Sequence, residues 1–151
     1  MNNYTSLVDI LIMDEMNGSP QHERVLEIGQ TPSYLVEHAG FPELTLAIKG
    51  KTVGKAHFDH GILASFIKKL ASYIGSPKCL FSSANTHQKD SVVVLTFEQK
   101  GASPIIVPIQ KNVQIGRGQY FNLVTSIYAK EGPNPETKWK ADNLLLWEPD
   151  N

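Results

Sequence analysis

Two short clusters of polar side chains carry the groups in this sequence that could do chemistry. The first holds a lysine, two histidines and an aspartate within six positions: Lys55, His57, Asp59 and His60. Because imidazole titrates near neutral pH, His60 is predicted to act as a general base or acid. Lys55 is predicted to bind a phosphate as a cation, and His57 to contact the same substrate. A surface or helix-capping histidine is the alternative for His60.

The second cluster lies in a strand-like run over residues 119–130. Alternation along a strand places four of its polar side chains on one face: Asn122, Ser126, Tyr128 and Lys130. Such a stripe suits a substrate groove, in which Ser126 binds a phosphate oxygen and Tyr128 stacks a base or donates a proton. Lys130 is predicted to hold the substrate backbone. An ordinary solvent-facing strand surface is the alternative.

Three further residues are predicted to contact the same substrate. Thr125 belongs to the second cluster, although alternation puts it on the opposite face. Lys111 ends the preceding strand-like run and borders the groove. Arg117, between Gly116 and Gly118, suits bidentate binding of a phosphate, and a turn arginine without a role is the alternative.

Metal and thiol chemistry have little support in the sequence. His57, Asp59 and His60 are conceivable metal ligands, but a His-x-x-His pair at a loop–helix junction has no evident third partner. Asp59 is better explained as a helix N-cap. Cys79 is the only cysteine, which excludes an internal disulfide, and nothing nearby indicates an activated thiol. We therefore predict no metal and no cofactor.

The pattern around the clusters predicts an α+β domain over residues 31–151, preceded by an N-terminal arm over residues 1–30. An amphipathic helix is expected over residues 60–74, so the first cluster would lie at its N-terminus, where free amides favour phosphate. Four strand-like runs follow, at 78–83, 91–99, 104–110 and 119–130. Shorter elements are predicted at 32–39, 44–49, 136–142 and 144–147. Residue His87 is expected to lie in a loop.

Charge is segregated along the chain. Residues 45–140 hold thirteen of the fourteen basic residues but only five of the fifteen acidic ones, and both flanks are acidic. This distribution predicts a polyanionic partner for the basic body, with solvation of the surface by lysines as the alternative. No apolar run is long enough to span a membrane, and the N-terminus lacks the pattern of a secretory signal.

Several segments, in this order, resemble the MuF C-terminal domain, a module of phage head-associated proteins and bacterial polymorphic toxins. They are KAHFDHG at 55–61, GSP at 75–77, DSVVVL at 90–95, PIIVPI at 104–109 and NLVTSIYAK at 122–130. The resemblance covers residues 28–147. It implies the fold of the barnase, EndoU, colicin and RelE-like ribonucleases, in which one or two helices precede a curved antiparallel sheet of about four strands.

The resemblance also implies a metal-independent endoribonuclease toxin that acts in the cytoplasm after delivery by a phage or secretion system. The 2′-hydroxyl of tRNA, rRNA or mRNA would attack the adjacent phosphorus and leave a 2′,3′-cyclic phosphate. His60 would transfer the proton, and Lys55, Ser126 and either Lys130 or Arg117 would stabilise the charged intermediate. An acidic immunity protein is the implied partner. The alternatives are a non-catalytic module that binds nucleic acid or protein, and an accessory protein of a phage or secretion system.

Overall fold

A mixed sheet of eight strands runs through the part of the chain that the computed structural model describes, residues 3–84 and 90–150. Its strands are β1 (Val25–Gln30), β2 (Thr45–Lys49), β3 (Cys79–Ser82), β4 (Ser91–Lys100), β5 (Ser103–Gln114), β6 (Tyr120–Val124), β7 (Tyr128–Ala129) and β8 (Leu145–Trp147). They lie in the order β1-β2-β6-β5-β4-β3-β8, and β7 pairs with β5. Pairing is antiparallel except between β2 and β6. The α+β class is confirmed, and the sheet has twice the four strands predicted. His87 lies outside the described residues.

The helices within the described residues are short, apart from the first. They are α1 (Tyr4–Met16), α2 (Ser33–Ala39), α3 (Gly50–Gly54), α4 (Ala64–Lys68), α5 (Leu70–Gly75) and α6 (Pro135–Ala141), and a π-helical turn at Lys55–Asp59 follows α3 directly. The single helix predicted over residues 60–74 is wrong, because Gly61 adopts a positive φ of 66° and Leu63 is extended. Asp59 ends the π-helical turn and is not an N-cap.

Apolar side chains pack on both faces of the sheet. Successive residues of a strand point to opposite faces, and in the central strands both sets of residues are buried. Leu80, Val94 and Val107 face the larger core, which also contains residues of α1, α4 and α5. The alternate strand positions, including Phe81, pack in a smaller cluster with Trp139 of α6. Each fully buried side chain of this size contributes roughly 1.5–3 kcal/mol to folding.

The N-terminal arm predicted over residues 1–30 contains α1 and β1, and both elements contribute to the larger core. Val8 and Leu11 of α1 are buried there, as is Leu26 of β1. The hydroxyl of Tyr4 donates a hydrogen bond to the carbonyl of Ile67 in α4 over 2.7 Å. This part of the chain therefore belongs to the same folded body as the sheet.

Candidate functional site

An open groove of about 590 Å³ lies where the end of the π-helical turn meets the β4–β5 hairpin and the residues around β7. We call it the His60 groove. Its lining includes six side chains able to take part in acid–base or anion chemistry: Asp59, His60, Lys100, Tyr128, Lys130 and Glu131. The groove is polar and charged, unlike the two buried cores on either side of the sheet.

The loop that carries His60 is held in place by its own backbone and by one lysine. The amide of His60 donates to the carbonyl of Lys55 over 2.9 Å, which closes the π-helical turn. The next residue, Gly61, takes the left-handed conformation that glycine tolerates best. Lys100 then lies across Gly61, and its Nζ donates to the carbonyl of His60 over 3.1 Å. His60 therefore stands on a turn that β4 fixes from the other side of the groove.

His57 supports this loop from inside. Its Nδ1 lies 2.9 Å from the carbonyl of Ile62, and its ring packs edge-on against Phe58. With one ring nitrogen bound to the backbone, His57 ties the end of the loop to the π-helical turn. The structure therefore gives His57 a role in holding the loop, and the prediction that it contacts substrate stays a prediction.

The ring of His60 faces Tyr128 across the groove. Their ring centroids are 5.8 Å apart, and the planes are tilted by 43°. Within the described residues, neither ring nitrogen of His60 has a hydrogen-bond partner. Tyr128 is partly buried on β7, and this burial raises the pKa of its phenol, which therefore keeps its proton at neutral pH. Both groups are chemically available to a molecule in the groove.

Two lysines of the groove have no carboxylate partner among residues 3–84 and 90–150. Lys100 and Lys130 form no ion pair there, whereas Lys78, Lys138 and Lys140 all do. Unpaired ammonium groups are the groups that would bind a phosphate, because no salt bridge must first be broken.

The groove also presents two carboxylates. Asp59 and Glu131 line it, and in the described part of the chain neither pairs with a cation. A carboxylate beside an imidazole provides two groups that can exchange protons with a substrate. The groove therefore combines proton donors and acceptors with cations.

Three of the predicted site residues converge in this groove: His60, Tyr128 and Lys130. Lys55 is exposed at the start of the π-helical turn and is not part of the lining, and Ser126 lies partly exposed in the break between β6 and β7. The structure therefore does not bring these two residues into the groove as described.

The three remaining cations and hydroxyls of the prediction lie elsewhere. Thr125 is exposed and donates to the carbonyl of Pro108 over 3.4 Å. Lys111 donates to the carbonyl of Ala39 over 3.3 Å, on the side of α2. Arg117 is exposed in the loop between β5 and β6. None of the three lines the His60 groove.

The predicted polar stripe that includes Asn122 is wrong. Residues 125–127 leave the strand, so alternation is interrupted, and Val124 and Ile127 both face the larger core. Asn122 is fully buried, and its amide donates to the hydroxyl of Thr31 over 2.8 Å and to a backbone carbonyl. Tyr128 packs against the smaller cluster on the other face of the sheet. Asn122 is therefore a structural residue that ties β6 to the segment around α2.

Lys100 and Glu131 are groove residues that the sequence reasoning misses. Lys100 lies in the hairpin that joins β4 to β5, outside both polar clusters that the sequence singles out. The sequence does indicate where Lys100 lies, because it directly precedes Gly101 of the hairpin turn and is therefore at the end of the sheet. Glu131 follows Lys130 directly in the loop after β7, and its residue type and position carry no comparable signal.

A second cluster of metal-ligating groups lies at the other side of α6. The ligand atoms of Cys79, Glu136 and Glu148 lie within 4.8 Å of one another. Lys140 already occupies the space between the carboxylates, with its Nζ 3.0 Å from an oxygen of each. Lys78 contacts Glu136 from the opposite side over 2.9 Å. The cluster is therefore an ion-pair network in which ammonium groups provide the positive charge.

The thiol of this network is poorly suited to bind a metal. Burial, followed by the nearby carboxylate of Glu136, raises the pKa of Cys79 to about 12. Hydrogen bonds from Lys78 and then Lys140 lower the pKa of Glu136 instead. Glu136 is thus ionised and paired with both lysines, whereas the thiol is protonated at neutral pH.

Comparison with known proteins identifies the family. No helix in the described residues is both long and apolar enough to cross a membrane. No curated protein and no solved structure matches the chain. The family model of the phage MuF C-terminal domain, however, matches residues 51–150. This range includes the π-helical turn and both sides of the His60 groove. The chain therefore belongs to the phage MuF C-terminal domain family.

Proposed function

We propose that this chain is a metal-independent endoribonuclease toxin whose reaction takes place in the His60 groove. The observation that carries the proposal is the convergence of His60 with Tyr128 and with the two unpaired lysines, Lys100 and Lys130. Cleavage of RNA by its own 2′-hydroxyl needs two proton transfers and cations around the phosphorus, and this groove offers both kinds of group.

In the proposed reaction a carboxylate of the groove, Asp59 or Glu131, accepts the proton of the 2′-hydroxyl as the oxygen attacks phosphorus. Protonated His60 gives a proton to the departing 5′-oxygen, and the products are a 2′,3′-cyclic phosphate and a free 5′-hydroxyl. Lys100 and Lys130 stabilise the charge on the phosphoryl oxygens. No redox step and no external nucleophile is required.

Tyr128 has a distinct part in the proposal. Because its phenol stays protonated, it can donate a hydrogen bond to a phosphoryl oxygen beside His60. Its aromatic ring also limits how the ring of His60 can turn. Lys55 and Ser126 are predicted from the sequence to stabilise the charged intermediate, but they lie outside the groove lining, so the proposal gives them more distant contacts with the RNA backbone instead.

The test is cleavage of total RNA by the purified chain in EDTA, with the ends of the products identified. We expect cyclic-phosphate ends, and a rate that falls by about 10²–10⁴-fold in His60→Gln, the range for loss of a general acid. His22→Gln is the matched control, since His22 is exposed and, among the described residues, its ring forms a polar contact with Glu15 alone. Equal cleavage by wild type and His60→Gln would contradict the proposal.

One observation favours a second candidate, a binding module without catalysis. Asp59 and Glu131 bring negative charge into the groove, which weakens its attraction for a polyanion and favours a protein partner over RNA as the bound molecule. If the folded wild-type chain binds RNA but leaves every RNA intact, the binding module is the better account. If it neither binds nor cleaves RNA, a role as an accessory protein in a phage or secretion system remains.

A further inference from the structure

An exposed aromatic ring stands close to the His60 groove. Phe97 of β4 is 66 % exposed, and the pairing of β4 with β5 is irregular between Leu95 and Gln99, where this ring projects. A lone exposed phenylalanine needs no explanation by itself. Phe97 differs because it forms a wall of two neighbouring clefts, of about 260 Å³ and 460 Å³.

The smaller cleft adjoins the His60 groove. Both are lined by Ser103 and Lys130, so a chain that lies against His60 can pass over these two residues and reach Phe97. The rest of the smaller cleft is largely polar, and its lining includes Lys78, Asn134 and Glu136. The surface thus changes from a charged groove to an exposed ring in a cleft that Lys130 also lines, whereas Lys78 of the same cleft is already paired with Glu136.

We propose that Phe97 is a stacking platform for a nucleobase that flanks the reacting phosphate, an inference that rests on the proposed function. Base–aromatic stacking suits an exposed ring, since every base has a flat apolar face. Lys130 has no carboxylate partner in the described part of the chain, so it can hold the phosphate between the stacked base and His60. An apolar protein segment fits less well, because the polar lining around Phe97 would lose water without gaining partners.

The test measures binding to an RNA that cannot be cut. Fluorescence anisotropy follows a 2′-O-methyl oligonucleotide of roughly 12 nucleotides, within the range that single-strand binding surfaces cover. We expect Phe97→Ala to bind about tenfold more weakly than wild type, the loss for one stacked base. Phe97→Trp should bind at least as well as wild type. Leu63→Ala is the control, since Leu63 is 70 % exposed but lines neither cleft.

A second set of oligonucleotides, each with one abasic position, identifies stacking directly. One abasic position should weaken binding to wild type by about tenfold and have no further effect on Phe97→Ala, because the base and the ring act as one contact. Circular dichroism confirms that Phe97→Ala is folded. Equal binding of Phe97→Ala and wild type, or no binding by either, overturns the inference.

The outcome separates this inference from the proposed function. If RNA is not cleaved but Phe97→Ala loses affinity, the stacking platform stands and the ribonuclease proposal falls. If RNA is cleaved but binding does not depend on Phe97, the stacking platform falls alone, and a protein partner becomes the better occupant of the ring.

Discussion

His60 rests on a turn whose carbonyl and glycine are covered by a single lysine side chain. Lys100 donates to the carbonyl of His60, and a Cβ built on Gly61 would lie only 2.6 Å from the Nζ of Lys100. The contact between Lys100 and the His60–Gly61 backbone thus positions two groups of the proposed reaction, the ammonium group of Lys100 and the imidazole of His60. A change at Gly61 should therefore affect chemistry and stability together.

Gly61→Ala is expected to destabilise the fold by about 1–2 kcal/mol, the cost of a left-handed conformation for a residue with a side chain. It should also displace Lys100 and slow RNA cleavage. Gly116→Ala is the matched control, because Gly116 has a φ of 73° and a Cβ there meets no atom within 4 Å. Urea unfolding and cleavage rates would be measured on both variants. Equal cleavage rates for the two variants would show that the contact with Lys100 does not matter.

Lys100→Ala separates the two effects. It removes the cation and its exposed hydrogen bond to the carbonyl of His60, but it forces no side chain into the turn, so cleavage should fall while the free energy of unfolding falls by about 1 kcal/mol or less. If Lys100→Ala loses as much stability as Gly61→Ala does, the main role of Lys100 is to hold the turn and not to bind the phosphate.

At the scale of elements, the ion pairs around Glu136 connect α6 to the start of β3 and to the C-terminal residues. This carboxylate contacts Lys78 over 2.9 Å and Lys140 over 3.0 Å, and these hydrogen bonds hold its pKa below the ordinary value. The unfolded chain therefore takes up the proton at a higher pH than the folded chain does. The stabilisation is present above the unfolded pKa and is lost as the pH falls through the folded pKa.

Glu136→Gln should accordingly lower the free energy of unfolding at pH 7 by roughly 1 kcal/mol, a modest value because both lysines are partly exposed. The difference from wild type should shrink as the pH falls below the unfolded pKa. Glu27→Gln, at an exposed position of β1 without an ion pair in the described residues, is the control. A stability difference that is constant with pH would contradict the linkage.

The elements also show where sequence patterns succeed and fail. The strands at Cys79–Ser82, Ser91–Lys100 and Ser103–Gln114 match the predicted apolar runs closely, because both faces of these strands are buried. The helix predicted over residues 60–74 fails at Gly61, because apolar spacing does not reveal a local left-handed turn. The strand predicted over residues 119–130 fails at residues 125–127, where the chain leaves the sheet between two paired segments.

Only some residues of the candidate site could be predicted from the sequence. His60, Tyr128 and Lys130 are distinguished by residue type, so they are found without knowledge of the fold. Lys100 is not, because its place opposite His60 depends on a hairpin some forty residues later in the chain. Strict alternation predicts Asn122 and Tyr128 on one face, but the break after Val124 changes the alternation, so the two side chains lie on opposite faces of the sheet.

At the scale of the whole molecule, the N-terminal residues complete the core beneath the sheet. Leu11 of α1 is 4 % exposed and packs in the larger core, whereas Met13 on the same helix is 62 % exposed. A separate arm would tolerate changes at both positions equally. The packing predicts instead that only the inward position matters for global stability.

Leu11→Ala should lower the free energy of unfolding by about 2–5 kcal/mol, the range for a buried leucine, and Met13→Ala by about 0.5 kcal/mol or less. Urea unfolding followed by circular dichroism measures both. A single transition is expected for each variant, since α1 shares its core with the sheet. Two transitions, or equal small effects, would mean that the N-terminal residues do not fold with the rest.

The central claim, that the His60 groove cleaves RNA through its own 2′-hydroxyl, is tested most directly at one mapped cleavage position. A short synthetic RNA that contains this position is incubated with the wild-type chain in EDTA, beside the same RNA with a single 2′-O-methyl group there. The account predicts cleavage of the first RNA to a cyclic phosphate, no cleavage of the second, and a rate at least about 10²-fold lower with His60→Gln. Cleavage of the methylated RNA, or an unchanged rate with His60→Gln, would contradict it.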